Sequence, residues 1–516
     1  MQLEKAKNAR RNVVFGVILK IYQILLPFIF RTVMIQTLGV QYLGLNSLFT
    51  SVLQVLNLAE LGVGSAMVFS MYKPIADDDH IKICALMKLY RLYYRVIGGI
   101  VLVVGLAVTP FIPYLISGDV PEGINIYILY LLNLGATVLT YWLFAYKNSI
   151  LSAHQRADVS SKVTIVTDTI KYGLWLVALY IFKNYYYYVI VILFTQVLNN
   201  IITALCAQKL YPQYKAEGQI SKEERKAINK RIADLFTSKL GGTLTGSTST
   251  IVISAFLGLE ILAIYQNYYY IITSITGFLT IINTSVLAGI GNKMQTGTIK
   301  ENYHDFRVFM FLQFWMIGFC ICCFSALFQP FMKIWMGDGL LLDYSAVVLL
   351  CISFLGTQYV QALSVYKDAG GIWHSDRFRP LISGIVNLVI DLILIQFIDI
   401  YGVVLANIVS SCFVSSPWIT GNVFRSIFKD EKMGKYLIET AIYIVVIAAA
   451  AVVVNIICYF IPEGGIGWLI LRFAVCIVLS NVVFLLIYFK FPLFKDCIEL
   501  VKKMFKRKTK NSSDGN

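Results

Sequence analysis

A chain of 516 residues that is 58% hydrophobic and 14% charged, with a mean hydropathy of +0.71, excludes a soluble globular protein. Apolar runs of about 20 residues recur along nearly its whole length, so the expected class is an all-α polytopic membrane protein. A formal charge of +15 would suggest nucleic acid in a soluble chain; here it reads as basic loops beside anionic lipid, with no nucleic-acid partner.

Taken in order, the first apolar segment shows no small-residue cleavage site and exceeds a signal-peptide core, so it reads as a retained span. Fourteen transmembrane helices can be placed, at 12–37, 42–72, 83–116, 125–148, 160–182, 186–208, 234–258, 260–291, 304–330, 343–366, 380–398, 400–424, 436–461 and 466–490. With the N-terminus in the cytoplasm, the inner segments and their flanks hold 38 of the 44 Lys and Arg residues. The exceptions are Lys20, Arg31, Lys171, Lys183, Lys333 and Arg472. The expected topology therefore has fourteen crossings and both termini inside.

The longest polar segment, 209–233, contains SKEERKAINKRIADLF, with Ile220, Ile228, Ile232 and Leu235 near one helix face. It suits an amphipathic cytoplasmic linker between an N-lobe (1–208, spans one to six) and a C-lobe (234–425, spans seven to twelve). Spans thirteen and fourteen (436–490) and a basic cytoplasmic tail (491–516) follow. Repetition supports this division. Leu38-Gly39 is echoed 219 residues later by Leu257-Gly258. Tyr146-Lys147-Asn148 with His154 is echoed at an offset of 220 by Tyr366-Lys367-Asp368 with His374, and Lys73 by Lys293. Two six-helix pseudo-symmetric lobes of like orientation, plus two C-terminal helices, are expected.

Charges inside apolar spans cost on the order of 2.5–3.5 kcal/mol each, so they mark polar interiors or substrate paths. Lys20 and Arg31 lie eleven residues apart, hence on one face and separated by about 16 Å along the axis. They either line a cavity for an anionic group or snorkel to the two interfaces. Glu60, in span two, falls at a depth similar to Lys20, and a Lys20–Glu60 pair would keep an empty cavity near neutrality. Asp168 and Lys171 could pair in span five. Asn387 and Asp391 share a face of span eleven.

Span seven opens with SKLGGTLTGSTST, which carries Lys239 and a row of hydroxyls and glycines suited either to water or to close helix packing. Tyr265, Gln266 and Asn267 follow in span eight as an aromatic and amide group able to stack against sugars, or as residues of the interface belt. No glycine-rich phosphate loop, metal-ligand spacing or Ser/His/Asp arrangement is present, so no cofactor, no metal and no enzyme activity are expected.

The stretch RTVMIQTLGVQYLGLNSLFTSVLQVLNLAELGVGSAMVFSMYKPIADDD resembles the first two spans of bacterial Wzx-like polysaccharide-biosynthesis flippases, within the multidrug/oligosaccharidyl-lipid/polysaccharide exporter superfamily. STSTIVISAFLGLEILAIYQNYY and YKDAGGIWHSDRFRPLISGIVNLVIDLIL resemble later parts of that family. The resemblance implies two lobes around a cavity that opens alternately to each side. It also implies an undecaprenyl-diphosphate-linked oligosaccharide as cargo, the bacterial cytoplasmic membrane as location, and work in capsule, O-antigen or exopolysaccharide synthesis. Membrane lipids are further partners, as are a polysaccharide polymerase or glycosyltransferases; coupling to H+ or Na+ stays open. Many relatives have an acidic residue early in span seven, where this chain has Ser249. Arg31 and Lys20 would serve the diphosphate, since a guanidinium fork pairs with phosphate oxygens. A cation antiporter of the same superfamily and a membrane polysaccharide polymerase or glycosyltransferase are the competing readings.

Overall fold

The computed structural model describes residues 2–498, without the side chains of residues 2–10, 13, 237–239 and 244. Most of the basic tail, from residue 499, lies outside the described residues. All regular structure among the described residues is helical. The helices are α1 (Gln2–Thr37), α2 (Val40–Leu56), α3 (Val63–Ala76), α4 (His80–Val108), α5 (Ile126–Trp142), α6 (Asn148–Ala153), α7 (Ala157–Leu176) and α8 (Tyr185–Leu210). After them come α9 (Lys222–Thr296), α10 (Ile299–Met336), α11 (Tyr344–Ala369), α12 (Arg379–Ile408), α13 (Ser416–Ser426), α14 (Met433–Tyr459) and α15 (Ile466–Tyr488).

Local sequence explains where these helices start. Asp79 accepts from the Lys82 N–H at 2.9 Å to cap α4, and Asn125 accepts from Tyr127 and Ile128 to cap α5. Thr298 and Glu301 satisfy each other's backbone at the head of α10 in a reciprocal box. Outward faces are apolar. On α15, Ile470, Val478 and Leu486 recur every eight residues and are 62%, 63% and 75% exposed. Large apolar side chains exposed around so much of a helix are stable only against lipid or a partner.

Among the described residues, eleven helices are long and apolar enough to cross a membrane, or twelve if Ile126–Trp142 and Ala145–Ala153, bent by 48°, form one span. Two of the long helices contain a break. In α9 it lies at Gly258 (φ 87, ψ 178), and in α12 at Ile398 and Asp399 (φ 48, ψ −133). Such backbone turns recur with nearly the spacing of the sequence echoes. Gly39 (φ 114) and Gly258 (φ 87) are 219 residues apart, as are Gly118 (φ 79) and Gly337 (φ 86), and Lys183 (φ 47) and Asp399 (φ 48) are 216 apart. Lys183 and Asp399 are the one non-glycine pair among these, and positive φ is uncommon outside glycine.

The chain forms two compact units. The first holds Met1–Gln266 with Asp391–Asp399, and the second holds Asn267–Ile390 with Ile400–Asn516. Within the first, α1 packs on α7 through Phe30 against Tyr172 and Trp175, and Trp175 stacks on Tyr188 of α8 at 4.3 Å. The head of α9 lies along α3 and α4, where Arg231 covers the Phe69 ring at 4.2 Å and Lys82 pairs with Glu224. Gly44 of α2 meets the chain just after the α9 break, and a Cβ there would overlap the Leu259 carbonyl oxygen. Within the second unit, α10 is the central post for α11, α14 and α15. Phe306, Phe424, Phe428 and Tyr436 pack around one another, Arg307 makes a bidentate pair with Glu439 (2.9 and 2.6 Å), and Trp315 donates to Asn481 at 2.8 Å.

Candidate functional site

The polar interior of the first unit is built around the hydroxyl row of α9. Thr, Ser and Gly in close succession keep that helix narrow and give it short side chains able to meet partners on neighbouring helices. Ser247 donates to Gln54 Oε1 of α2 at 3.0 Å, Ser249 donates to Asp391 Oδ2 at 2.7 Å, and Thr250 accepts from Gln266 Nε2 at 2.8 Å. Gln266 lies beyond the Gly258 break, and its backbone carbonyl accepts from Arg31 Nη1 at 3.4 Å. Arg31 is thus joined through Gln266 to the hydroxyl row, and Asp391, fully buried, supplies a carboxylate beside Ser249. Ser249 thus meets a carboxyl group supplied from 142 residues further along the chain.

The other charged candidates sit apart from this row. Glu60 does not pair with Lys20. Its carboxylate accepts from the Tyr94 hydroxyl at 2.6 Å and lies 2.9 Å from the Tyr141 hydroxyl, while Tyr90 donates to Tyr94 at 2.7 Å. The cause is local. Span two breaks into a 3-10 turn over Asn57–Glu60, followed by Gly62 in the left-handed region, which turns Glu60 toward α4 and α5. Lys20 is half-buried and makes no ion pair among the described residues. Asp168 and Lys171 do pair, at 2.6 Å, and the Lys171 ammonium lies over the Tyr172 and Trp175 rings at 4.7 and 5.3 Å. Beside Tyr90 and Tyr94, a cavity of about 500 Å³ is lined also by Phe69, Tyr72, Asn148 and Ser152.

Tyr265 is buried in the first unit. In the second unit Asn267 is fully buried, with its amide 3.7 Å from Met336 Sδ, and Asn387 is fully buried on α12. These residues are packed into the interior. The side chain of Lys239 lies outside the described residues. Gln54 was not singled out from the sequence. Its signal was present, because Asn46, Thr50 and Gln54 recur every four residues as a polar stripe on an otherwise apolar α2.

Long apolar helices with exposed apolar faces, folded around buried hydroxyls, amides and a carboxylate, define a multi-pass membrane protein of the multidrug and polysaccharide exporter fold. The chain belongs to the polysaccharide biosynthesis protein family, whose model matches residues 9–288, more than half of its length. The family resemblance carried by the span-one and span-two motif is thereby borne out. Among solved structures, the chain is similar to the lipid II flippase MurJ in an inward closed conformation, with a TM-score of 0.67 at 13% identity, covering 92% of this chain and 99% of that one. It is similar also to a multidrug resistance MATE family transporter in an inward-facing conformation (TM-score 0.62, 14% identity, 80% and 96% coverage). A third is a MOP superfamily transporter from Pyrococcus furiosus (TM-score 0.51, 13% identity, 81% and 96% coverage). No curated protein matches the chain.

Proposed function

We propose that this protein is a flippase that moves undecaprenyl-diphosphate-linked oligosaccharide from the inner to the outer leaflet of the bacterial cytoplasmic membrane by alternating access. The observation that carries this reading is the track from Arg31 through Gln266 to Thr250 and the neighbouring hydroxyls. A sugar diphosphate needs a cation for its phosphates and many neutral donors and acceptors for its hydroxyls, and the track offers both kinds of group in one unit. Membership of a polysaccharide biosynthesis family supports a glycan cargo. The fold shared with MurJ, a lipid II flippase by description, supports a lipid-linked one.

In this reading Arg31 and Lys20 attend the diphosphate, Gln266 and the hydroxyl row attend the sugars, and Asp391 with Ser249 offers a place for a coupling cation. We propose fourteen crossings with both termini inside, taking the breaks at Gly258 and at Ile398–Asp399 as the turns between spans seven and eight and between eleven and twelve. The recurring turns at Gly39 and Gly258 and at Gly118 and Gly337 support two repeated lobes. The test is deletion in the host: lipid-linked sugars should accumulate in the inner leaflet and return to wild-type levels on complementation. Unchanged inner-leaflet intermediates, in a strain with no second flippase, would refute the assignment. A cation antiporter is the second reading, favoured by the buried Asp391. It would give ion-dependent efflux of small cations from proteoliposomes and leave lipid-linked sugars unaltered.

A further inference from the structure

A second polar site lies in the first unit, away from the α9 hydroxyl row, where α4 begins, α8 ends and the chain turns into α9. Two cavities adjoin there and share Arg91 and Ala216 in their walls. The smaller, of about 240 Å³, is lined by Arg91, Lys147 and Lys215 together with Tyr146, Tyr211 and Tyr214. The larger, of about 570 Å³, adds Lys88, Arg95, Lys222 and Arg225. Seven cationic side chains therefore face these spaces, and Glu217 is the one carboxylate in either lining.

None of the seven makes an ion pair among the described residues, and two acids nearby are engaged elsewhere. Glu224 pairs with Lys82, and Asp158 with Arg156 at 2.9 Å and Lys162 at 3.5 Å. Two of the cations are also held in place. The Arg91 guanidinium lies 5.8 Å over the Tyr146 ring, and Lys147 donates to Gln208 Oε1 at 2.9 Å. Lys88, Arg91 and Arg95 follow one another at three and four residues, so they form one stripe along α4. Seven cations gathered around a single carboxylate repel one another, and a multivalent anion relieves that repulsion at several points at once.

We propose that these adjoining cavities are a binding site for a phosphate-bearing anion. The smaller cavity is several times the ~30 Å³ that a water occupies in the liquid, enough for a phosphate group and too small for a helix or a nucleic-acid duplex. Guanidinium forks and ammonium donors match the several oxygens of a phosphate dianion better than the two of a carboxylate. The ligand's source is either an anionic lipid head group or a soluble phosphate compound. The proposal does not rest on the transport reading, because binding is measured without transport.

The test uses purified full-length protein in phosphatidylcholine nanodiscs, with inorganic diphosphate titrated by calorimetry. Saturable binding is expected, weakened by salt. Arg91→Gln and Lys147→Gln should each weaken it about tenfold or more, with Lys215→Gln as a variant on an exposed loop should either helix-borne change disturb folding. Lys429→Gln, in the second unit, should leave it unchanged. In a second arm, native mass spectrometry counts phosphatidylglycerol retained by wild type and by the same variants. Loss of retained lipid in the variants identifies a membrane source, and diphosphate binding alone identifies a soluble one. Absence of binding in both arms, or equal binding by wild type and all three variants, overturns the proposal.

Discussion

Ser249 donates its hydroxyl proton to Asp391 at 2.7 Å across 142 residues of sequence. The other carboxyl oxygen, Oδ1, is buried without a hydrogen-bond partner among the described residues. Hydrogen bonds to charged or strongly polar buried groups contribute about 1.5–3 kcal/mol. Ser249→Ala should therefore lower the stability of the detergent-purified protein by roughly 1–3 kcal/mol. Thermal melting measures this, and an unchanged melting temperature would show that Asp391 is held by its other surroundings.

Arg31 contacts the Gln266 carbonyl with one arm of its guanidinium. If it also meets cargo phosphate, Arg31→Ala should cut flipping by about tenfold or more at normal expression. Arg31→Lys should recover only part of it, because an ammonium keeps the charge and loses the fork. Translocation of a fluorescent diphosphate-linked sugar in proteoliposomes is the readout. A wild-type rate in Arg31→Ala would reduce Arg31 to an interfacial anchor.

Gly44 is the position where a single methyl should do most harm to the first unit. Its missing Cβ is the space occupied by the Leu259 carbonyl, a backbone atom that cannot rotate away. Gly44→Ala should cost about 1–3 kcal/mol through overpacking and separate α2 from the break in α9. Gly99→Ala, where nothing lies near the added Cβ, should cost little or even stabilise α4. Paired melting curves check the contrast.

His154 stacks on Tyr211 at 4.3 Å and Tyr214 at 5.6 Å, and burial lowers its pKa from the ordinary 6.5. A lowered folded-state pKa means that the unfolded chain takes up a proton first as pH falls. Stability should therefore be intact above pH 6.5 and decline as the pH drops below it. His154→Gln should flatten the melting temperature between pH 7.5 and 5.5. A wild-type slope in that variant would assign the pH response to other groups.

Much of this architecture could be read from residue types because membrane spans announce themselves by length and apolarity. Arg31, Asp168, Lys171, Gln266 and Asp391 stood out as polar groups in apolar runs, and the structure joins Arg31 to Gln266 and Asp168 to Lys171. The partners were harder to foresee. Glu60 was matched by depth to Lys20, but a 3-10 turn and a left-handed Gly62 redirect it to two tyrosines 34 and 81 residues away. Periodicity along a straight helix cannot show such a redirection. Tyr265 and Asn267 share their composition with a sugar-stacking surface, yet pack inside, because tyrosine and asparagine serve both settings. Gln54 went unnoticed because an uncharged amide raises little alarm in a hydrophobic run.

The first unit is not finished when its own long stretch of chain has been made. It ends at Gln266 and needs the segment Asp391–Asp399, so the 124 residues of Asn267–Ile390 must be synthesised in between. At roughly 5–20 residues per second, that delay is about 6–25 s. During it, Ser249 sits in the nascent chain without the carboxyl group it later holds. A premature stop anywhere in that interval leaves a product containing every residue of the first stretch and lacking the carboxyl partner of Ser249, a ready substrate for membrane proteases.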